Sequence, residues 1–497
     1  MTSLSGSLGA MSTISLTPQT QAAERTSARA AWIGFAVVIA ACLMDLLDST
    51  IAQTAAPAIR RDLGGSFATL EWISAGYTLA MSVTLLLGSR LGDILGRRRA
   101  LLAGIVGFAG TSALCAFAPD AQTLVVARVL QGACAAVMVP QCFGLIRELF
   151  GAEGQAKALG IVGPVMGLGA VAGPLAGGGL IDLNLLGSGW RAIFLINVPI
   201  ALVAITVGRR HLPAARPSAP GARPDVLSVA LSMAGGFALV YPLIQSHATR
   251  GHGWPLWSFV LLAAGVVAFA GFVRRQHTRV RRGRAPLIDP AILHRRPYVA
   301  GLATVLCFIA AMGGMMIALN VMLQTGLGDS PLHSGLETAA IPVAAIAGSI
   351  TSSVLLERLG RLTMLIGSSV MAVGLIVTVV VLHGAGASLA AWQLAGPLAL
   401  TGYGMGMVFV PMFDIVLAGV AHHELGSASG LLESVQQFAM SVGIALVGTV
   451  LFDRLGGRLG PGAFVDAAQH GLIVAIAFLV AAAISVLWLP RHAREAH

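Results

Sequence analysis

The sequence predicts an all-α polytopic membrane protein: fourteen transmembrane helices, arranged as two six-helix bundles with two inserted central helices. Three observations carry this. The 497 residues are 56% hydrophobic and 10% charged, against roughly 25% charged in an ordinary soluble domain. Fourteen apolar runs of helical length follow one another along the chain, each near the roughly 20 residues that cross a bilayer core. The charges fall mainly between those runs.

Residues 1–30 are rich in Ser, Thr and Ala and lack an apolar core. They read as a disordered cytoplasmic tail rather than a cleavable leader. The first bundle, 31–208, holds spans 31–51, 70–89, 100–118, 121–146, 158–181 and 190–208. Segment 209–296 holds two additional spans, 226–246 and 255–273, and ends in a basic stretch from Arg274 to Arg296. That stretch reads either as a solvated topogenic loop or as a surface for anionic headgroups. The second bundle, 297–490, holds spans 298–322, 335–355, 362–382, 391–419, 427–451 and 469–489, and 491–497 form a second cytoplasmic tail.

An even number of crossings puts both tails on one side. The tails and the connections on their side hold 24 of the 31 Lys and Arg residues. The positive-inside rule makes that side cytoplasmic, so a multi-pass protein of the cell membrane with cytoplasmic termini is expected. The formal charge of +10 is thereby explained by topology, and no nucleic acid partner is implied. All five cysteines (Cys42, Cys115, Cys134, Cys142, Cys307) lie within apolar spans and read as small packing residues.

A weak repeat divides the chain. Leu95-Gly96-Arg97 after the second span is echoed by Leu359-Gly360-Arg361 after the tenth. Each enters a new helix from a tight turn, and repeated halves around a midplane cavity are a common transporter plan.

Span five, between Lys157 and Asp182, is free of charge and contains eight glycines and two prolines, Pro164 and Pro174. Each Gly costs about 1 kcal/mol and each Pro about 3 kcal/mol in a helix in water; in a bilayer, neighbouring helices re-satisfy the backbone. Gly169, Gly173 and Gly177 recur every fourth residue, which lines a groove where another backbone approaches.

Ionisable groups inside spans cost at least about 2.5–3.5 kcal/mol at the centre, so each is a functional candidate. Asp45 and Asp48, three residues apart, share a face of span one; Arg128 lies in span four, Asp414 in span twelve and Glu433 in span thirteen. Ser49 and Thr50 are placed to hydrogen-bond the Asp48 carboxyl. A carboxylate in a cavity of changing polarity loads and releases protons, whereas an arginine stays charged. Trp72, Tyr77, Phe409 and Phe413 are candidate apolar walls, equally readable as core. The single lysine, Lys157, lacks a Walker A context, and His422-His423-Glu424 reads as a solvated turn. No catalytic constellation stands out, so a non-enzyme without cofactor or metal is expected.

Four motifs resemble those of the major facilitator superfamily, in its fourteen-helix drug:proton antiporter branch. Leu47-Asp48-Ser49-Thr50-Ile51 with Ala56-Pro57 is similar to the first-helix motif, which implies proton coupling or cation recognition at Asp48. Gly92-Asp93-Ile94-Leu95-Gly96-Arg97-Arg98-Arg99 resembles the loop that latches one facing state, implying that role for Asp93, Gly96, Arg97 and Arg98. Ser89 and Ile94 depart from its usual glycine and basic residue. Leu124 with Arg128, Gln131, Gly132, Ala135 and Ala136 resembles the fourth-helix motif, implying proton transfer through Arg128. Gly169, Gly173, Pro174, Gly177 and Gly178 match the fifth-helix motif of exporters. The resemblance implies the major facilitator fold and proton-gradient-driven efflux of an amphipathic, cationic or zwitterionic small molecule such as an antibiotic or biocide, by a monomer in contact with membrane lipids. A symporter or importer of a metabolite, and a non-transporting sensor, stay open as alternatives.

Overall fold

The computed structural model describes residues 18–184, 187–214, 217, 225–245, 254–284, 286–390, 392–418, 420 and 424–490. Residues 1–17 and 491–497 of the two expected tails, and His422 and His423, lie outside the described residues; residues 18–30, expected as disordered tail, are instead helical and run straight into the first span. Among the described residues the chain is helical, without strands. Fourteen helices are long and apolar enough to cross a membrane. We number them α1 Arg29–Leu63, α2 Phe67–Leu95, α3 Arg97–Ala116, α4 Ala121–Gly151, α5 Gly160–Leu183, α6 Gly189–His211, α7 Val226–Gln245, α8 Leu256–Arg281, α9 Arg296–Leu327, α10 Pro331–Leu359, α11 Arg361–Ala385, α12 Trp392–Leu417, α13 Ser427–Leu455 and α14 Pro461–Val486.

Each predicted span corresponds to one helix, and most helices outrun their spans. The span predicted over 31–51 continues to Leu63, carrying Arg60, Arg61 and Asp62. Backbone hydrogen bonding continues beyond the hydrocarbon, where charge costs little, so hydropathy alone sets the ends too early. Both repeat turns appear as expected: Gly96 (φ +88°) and Gly360 (φ +52°) end α2 and α10 in a backbone region open to glycine.

Helices α1–α6 and α9–α14 form the two halves. Helix α2 is the most enclosed, packed on α4 in its own half, on α13 across the seam, and on α7 of the inserted pair. The inserted pair covers that α2–α13 seam. Trp72 of α2 stacks with Phe237 of α7 at 6.0 Å, and Phe269 of α8 meets Phe438 of α13 edge-on.

The basic connection after α8 is not a plain solvated loop, and here the structure corrects the sequence reading. Leu287 and Ile288 are buried with Leu86 of α2 and Phe272 of α8. The Pro286 carbonyl accepts from Arg90, and the Asp289 amide donates to Ser427 of α13 at 3.2 Å. Glu424 is likewise no solvated turn residue; it is buried and pairs with Arg295 at 2.8 Å. Apolar residues within charged stretches find cover between helix ends, which charge patterning does not reveal.

The halves are in contact at the end remote from the tails, named the outer end after the orientation that the charge distribution predicts. Gly178 of α5 abuts Leu332 of α10, and Gly335 lies on the Pro174 carbonyl. Gln324 donates to the Thr54 carbonyl at 2.8 Å, Ser330 to Asp182 at 2.7 Å, and Phe67 stacks on Phe452. On the tail side of α5, Gly160 and Gly167 border open space. The molecule is closed at its outer end.

Candidate functional site

Within the N-terminal half, three helices converge on Asp48. Asp48 is 2% exposed and Arg128 of α4 is 1% exposed; their side chains form an ion pair. Gln131, one turn from Arg128, accepts from Arg128 Nη1 and donates to Asp48 Oδ1, both at 2.8 Å. Asn197 of α6 donates to Asp48 Oδ1 at 3.0 Å and to Ser112 of α3 at 3.0 Å. Arg128 Nε donates to the Ile73 carbonyl at 3.0 Å, and its guanidinium lies 4.3 Å from the Tyr77 ring centroid. Each charge is thus met by an opposite charge and neutral donors or acceptors, as burial of an ion pair requires.

Ser49 and Thr50 do not serve Asp48, contrary to the sequence expectation. Ser49 donates to the Leu46 carbonyl, and Thr50 to the carbonyls of Leu46 and Leu47. A helical hydroxyl reaches its own i−3 and i−4 carbonyls without a search, so partners came from α4 and α6 instead. Gln131 appeared in the sequence only as a motif letter, and Asn197 and Ser112 not at all.

Asp45, one turn earlier, is partly exposed and accepts from the Tyr77 hydroxyl. Across the seam, Glu433 of α13 is partly exposed and hydrogen-bonded by Gln437. The two halves therefore each offer a carboxylate to the space between them. Asp414 stays outside this group, exposed on α12. Of the candidate walls, Tyr77 is buried, Trp72 faces the inserted pair, Phe409 meets Phe308, and Phe413 is exposed.

Helix α5 seats α1. Gly169 faces Leu43 and Leu46, Gly173 faces Thr50, and Gly177 faces Ile51, so the glycine groove holds the stretch that bears Asp45 and Asp48. Pro174 and Gly178 point the other way, to α10. At the end of α2, Asp93 lies 3.7 Å from Arg90, and Arg97 lies 3.6 Å from Glu148 of α4. Arg98 donates to the Arg209 carbonyl at the end of α6. These contacts of Arg97 and Arg98 lie within the N-terminal half. At the outer end, Asp329, His333 and Glu337 bring three metal-ligating atoms within 4.8 Å of one another, a grouping that sequence reading passed over. Sequence reading also passed over Glu71, near the start of α2.

A family model described as Major Facilitator Superfamily matches residues 37–273 and 214–444. The chain belongs to the major facilitator superfamily. Within this superfamily it is 43% identical over 430 residues to the probable actinorhodin transporter of Streptomyces coelicolor, covering 86% of this chain and 73% of that one. It is 35% identical to the puromycin resistance protein of Streptomyces alboniger, covering 90% and 88%. It is 32% identical to the multidrug efflux pump LfrA of Mycolicibacterium smegmatis, covering 87% and 82%. Among solved structures, an auto-inhibited peptide transporter of the POT family matches with a TM-score of 0.63 at 16% identity, over 92% of this chain and 96% of that one. That likeness concerns the fold. The superfamily makes the chain a multi-pass membrane transporter.

Proposed function

We propose that the chain is a proton-coupled exporter of amphipathic small molecules, working by alternating access of its two halves. The observation that carries this reading is the buried Asp48–Arg128 pair, held one helical turn from Asp45; Glu433 is the partly exposed carboxylate of the opposite half. Protonation of Asp48 would cancel the pair and oblige Arg128 and its neighbours to rearrange. The rearrangement would reach Asp45 through Tyr77, which touches both Arg128 and Asp45. With the outer end closed and Asp48 paired with Arg128, the molecule fits a stage that loads cargo from the tail side.

The charges offered to the space between the halves, Asp45 and Glu433, are acidic, while Arg128 is enclosed. This favours a cationic or zwitterionic compound. The names of the relatives, two of them concerned with antibiotics and one with multidrug efflux, support export, as does the glycine-rich α5 resembling the exporter motif. The proton gradient serves as the energy source.

The test uses everted vesicles with an acid interior and a quenched pH dye, probed with puromycin and ethidium. Export by antiport recovers dye fluorescence on addition of a transported compound, and Asp48→Asn abolishes the recovery. Greater accumulation of the same probes in intact cells expressing the protein would sink the reading in favour of import.

A further inference from the structure

Glu71 lies one turn into α2 at the outer end. Glu71 is 0% exposed, and neither carboxyl oxygen has a hydrogen-bond partner among the described residues. It is clasped between the halves: Oε1 lies directly against Gly448 of α13, where a single added methyl would overlap it. Among the described residues, the charged groups at this end of the packed elements are Arg60, Arg61 and Asp62 on α1, Asp120 and Arg128 at the start of α4, and Asp453 and Arg454 on α13; Asp120 caps Thr123 and Arg128 is paired with Asp48. Arg60 rests on the Phe67 ring at 3.9 Å, Asp62 pairs with Arg191, and Arg454 pairs with Asp466. Helix α7 contributes no charge here.

A buried carboxylate without a counter-charge costs several kcal/mol. The neutral acid forgoes only about 1–3 kcal/mol of hydrogen bonding. The closed outer end therefore admits Glu71 only with its proton, whereas parting of α2 from α13 would let water reach it and favour the anion. Each such orphan calls for an explanation, and inside a membrane protein the default explanation is function.

We propose that Glu71 is a second proton-binding site, belonging to the outer gate: binding a proton there permits α2 and α13 to close, and opening releases it. The proposal rests on the alternating-access reading above. It gives the proton arriving from outside a task separate from the Asp48–Arg128 pair, namely licensing closure.

Hydrogen exchange of the full chain in lipid nanodiscs, from pH 5 to pH 8 and divided by the intrinsic exchange rate, tests it. With one proton released on opening, the opening equilibrium of segments 60–75 and 445–460 rises up to about tenfold per pH unit. Glu71→Gln, uncharged and of the same shape, lowers that slope by one proton and keeps the outer end protected at pH 8. Glu71→Met does the same and raises the melting temperature, because it removes an unsatisfied polar group. Equal slopes in wild type and Glu71→Gln, a flat wild-type profile, or a lowered melting temperature for Glu71→Met would each overturn the proposal. Gradient-driven ethidium flux in vesicles of the same proteins separates the two readings. Flux retained with equal slopes sinks Glu71 alone, and flux absent in wild type sinks the transport reading while the slope comparison still stands.

Discussion

Arg128 ties four neighbours together: an ion pair with Asp48, a bond to Gln131, a bond to the Ile73 carbonyl and the face of Tyr77. A lysine carries the charge but not the planar fork, so Arg128→Lys should lose proton-coupled efflux while the protein still reaches the membrane. Arg128→Met alone leaves Asp48 as a buried, unpaired charge and should cost about 3–5 kcal/mol. The double variant Arg128→Met/Asp48→Leu should be more stable than either single one, read as melting temperature in detergent. A double variant no better than the worse single would show that the pair is not coupled as described. Sequence marked both residues because an ionisable group in an apolar run is conspicuous. It did not pair them, since they lie 80 positions apart and only the fold sets the distance. Glu71 escaped notice for a different reason. Beside Trp72 and near a span boundary it looks like an interfacial residue, and only the packing of α13 over it makes it buried.

At the scale of elements, the glycine groove of α5 makes two contrasting predictions. A methyl at position 173 meets the Thr50 side chain, whereas one at 167 meets nothing within 4 Å. Gly173→Ala should therefore displace α1 and reduce efflux strongly. Gly167→Ala should keep wild-type efflux and gain up to about 1 kcal/mol from helix propensity; equal effects of the two would refute the groove. The inserted pair is anchored by Asp225, which accepts from Arg275 at 2.6 Å, lies 3.3 Å from Arg279 and bonds Ser228. Burial pushes its carboxyl up, but bonds from Arg275 and Ser228 with the charge of Arg279 outweigh that and hold it below the ordinary carboxylate range. A depressed value stabilises the fold above the unfolded pKa and is lost as pH falls through the folded one. The melting temperature of wild type should exceed that of Asp225→Asn by a constant margin from pH 5 to pH 8, and the margin should close below about pH 4. The groove was legible as a spacing of four. Its occupant was not, because the spacing names a face without saying which helix lies on it.

Across the whole molecule, the fourteen crossings and the division into halves were readable because lipid demands uninterrupted apolar spans and the turn at Gly96 recurs at Gly360. Which end is closed was not readable, for both states share one sequence. The contact of Ser330 with Asp182 spans the two halves at the outer end. Cysteines at 182 and 330 joined by a short thiol cross-linker should arrest transport of puromycin or ethidium, with recovery on reduction. Continued transport in the fully cross-linked protein would refute closure at this contact as part of the cycle.

Midway along the α2–α13 seam, Thr78 bonds Ser441 at 2.7 Å, and Ser82 and Ser434 exchange hydroxyl-to-carbonyl bonds at 2.9 and 2.6 Å. Hydroxyls swivel about their bonds, so this row would tolerate rotation better than sliding, as a fulcrum does. Glu71 is seven residues outward from Thr78, a lever arm of about 10 Å at 1.5 Å per residue. A rocking angle of about 15° about the Thr78–Ser441 contact would then carry the Glu71 carboxyl roughly 2.7 Å from α13, about the width of one water molecule. Wetting of that carboxyl would thus precede any passage wide enough for cargo.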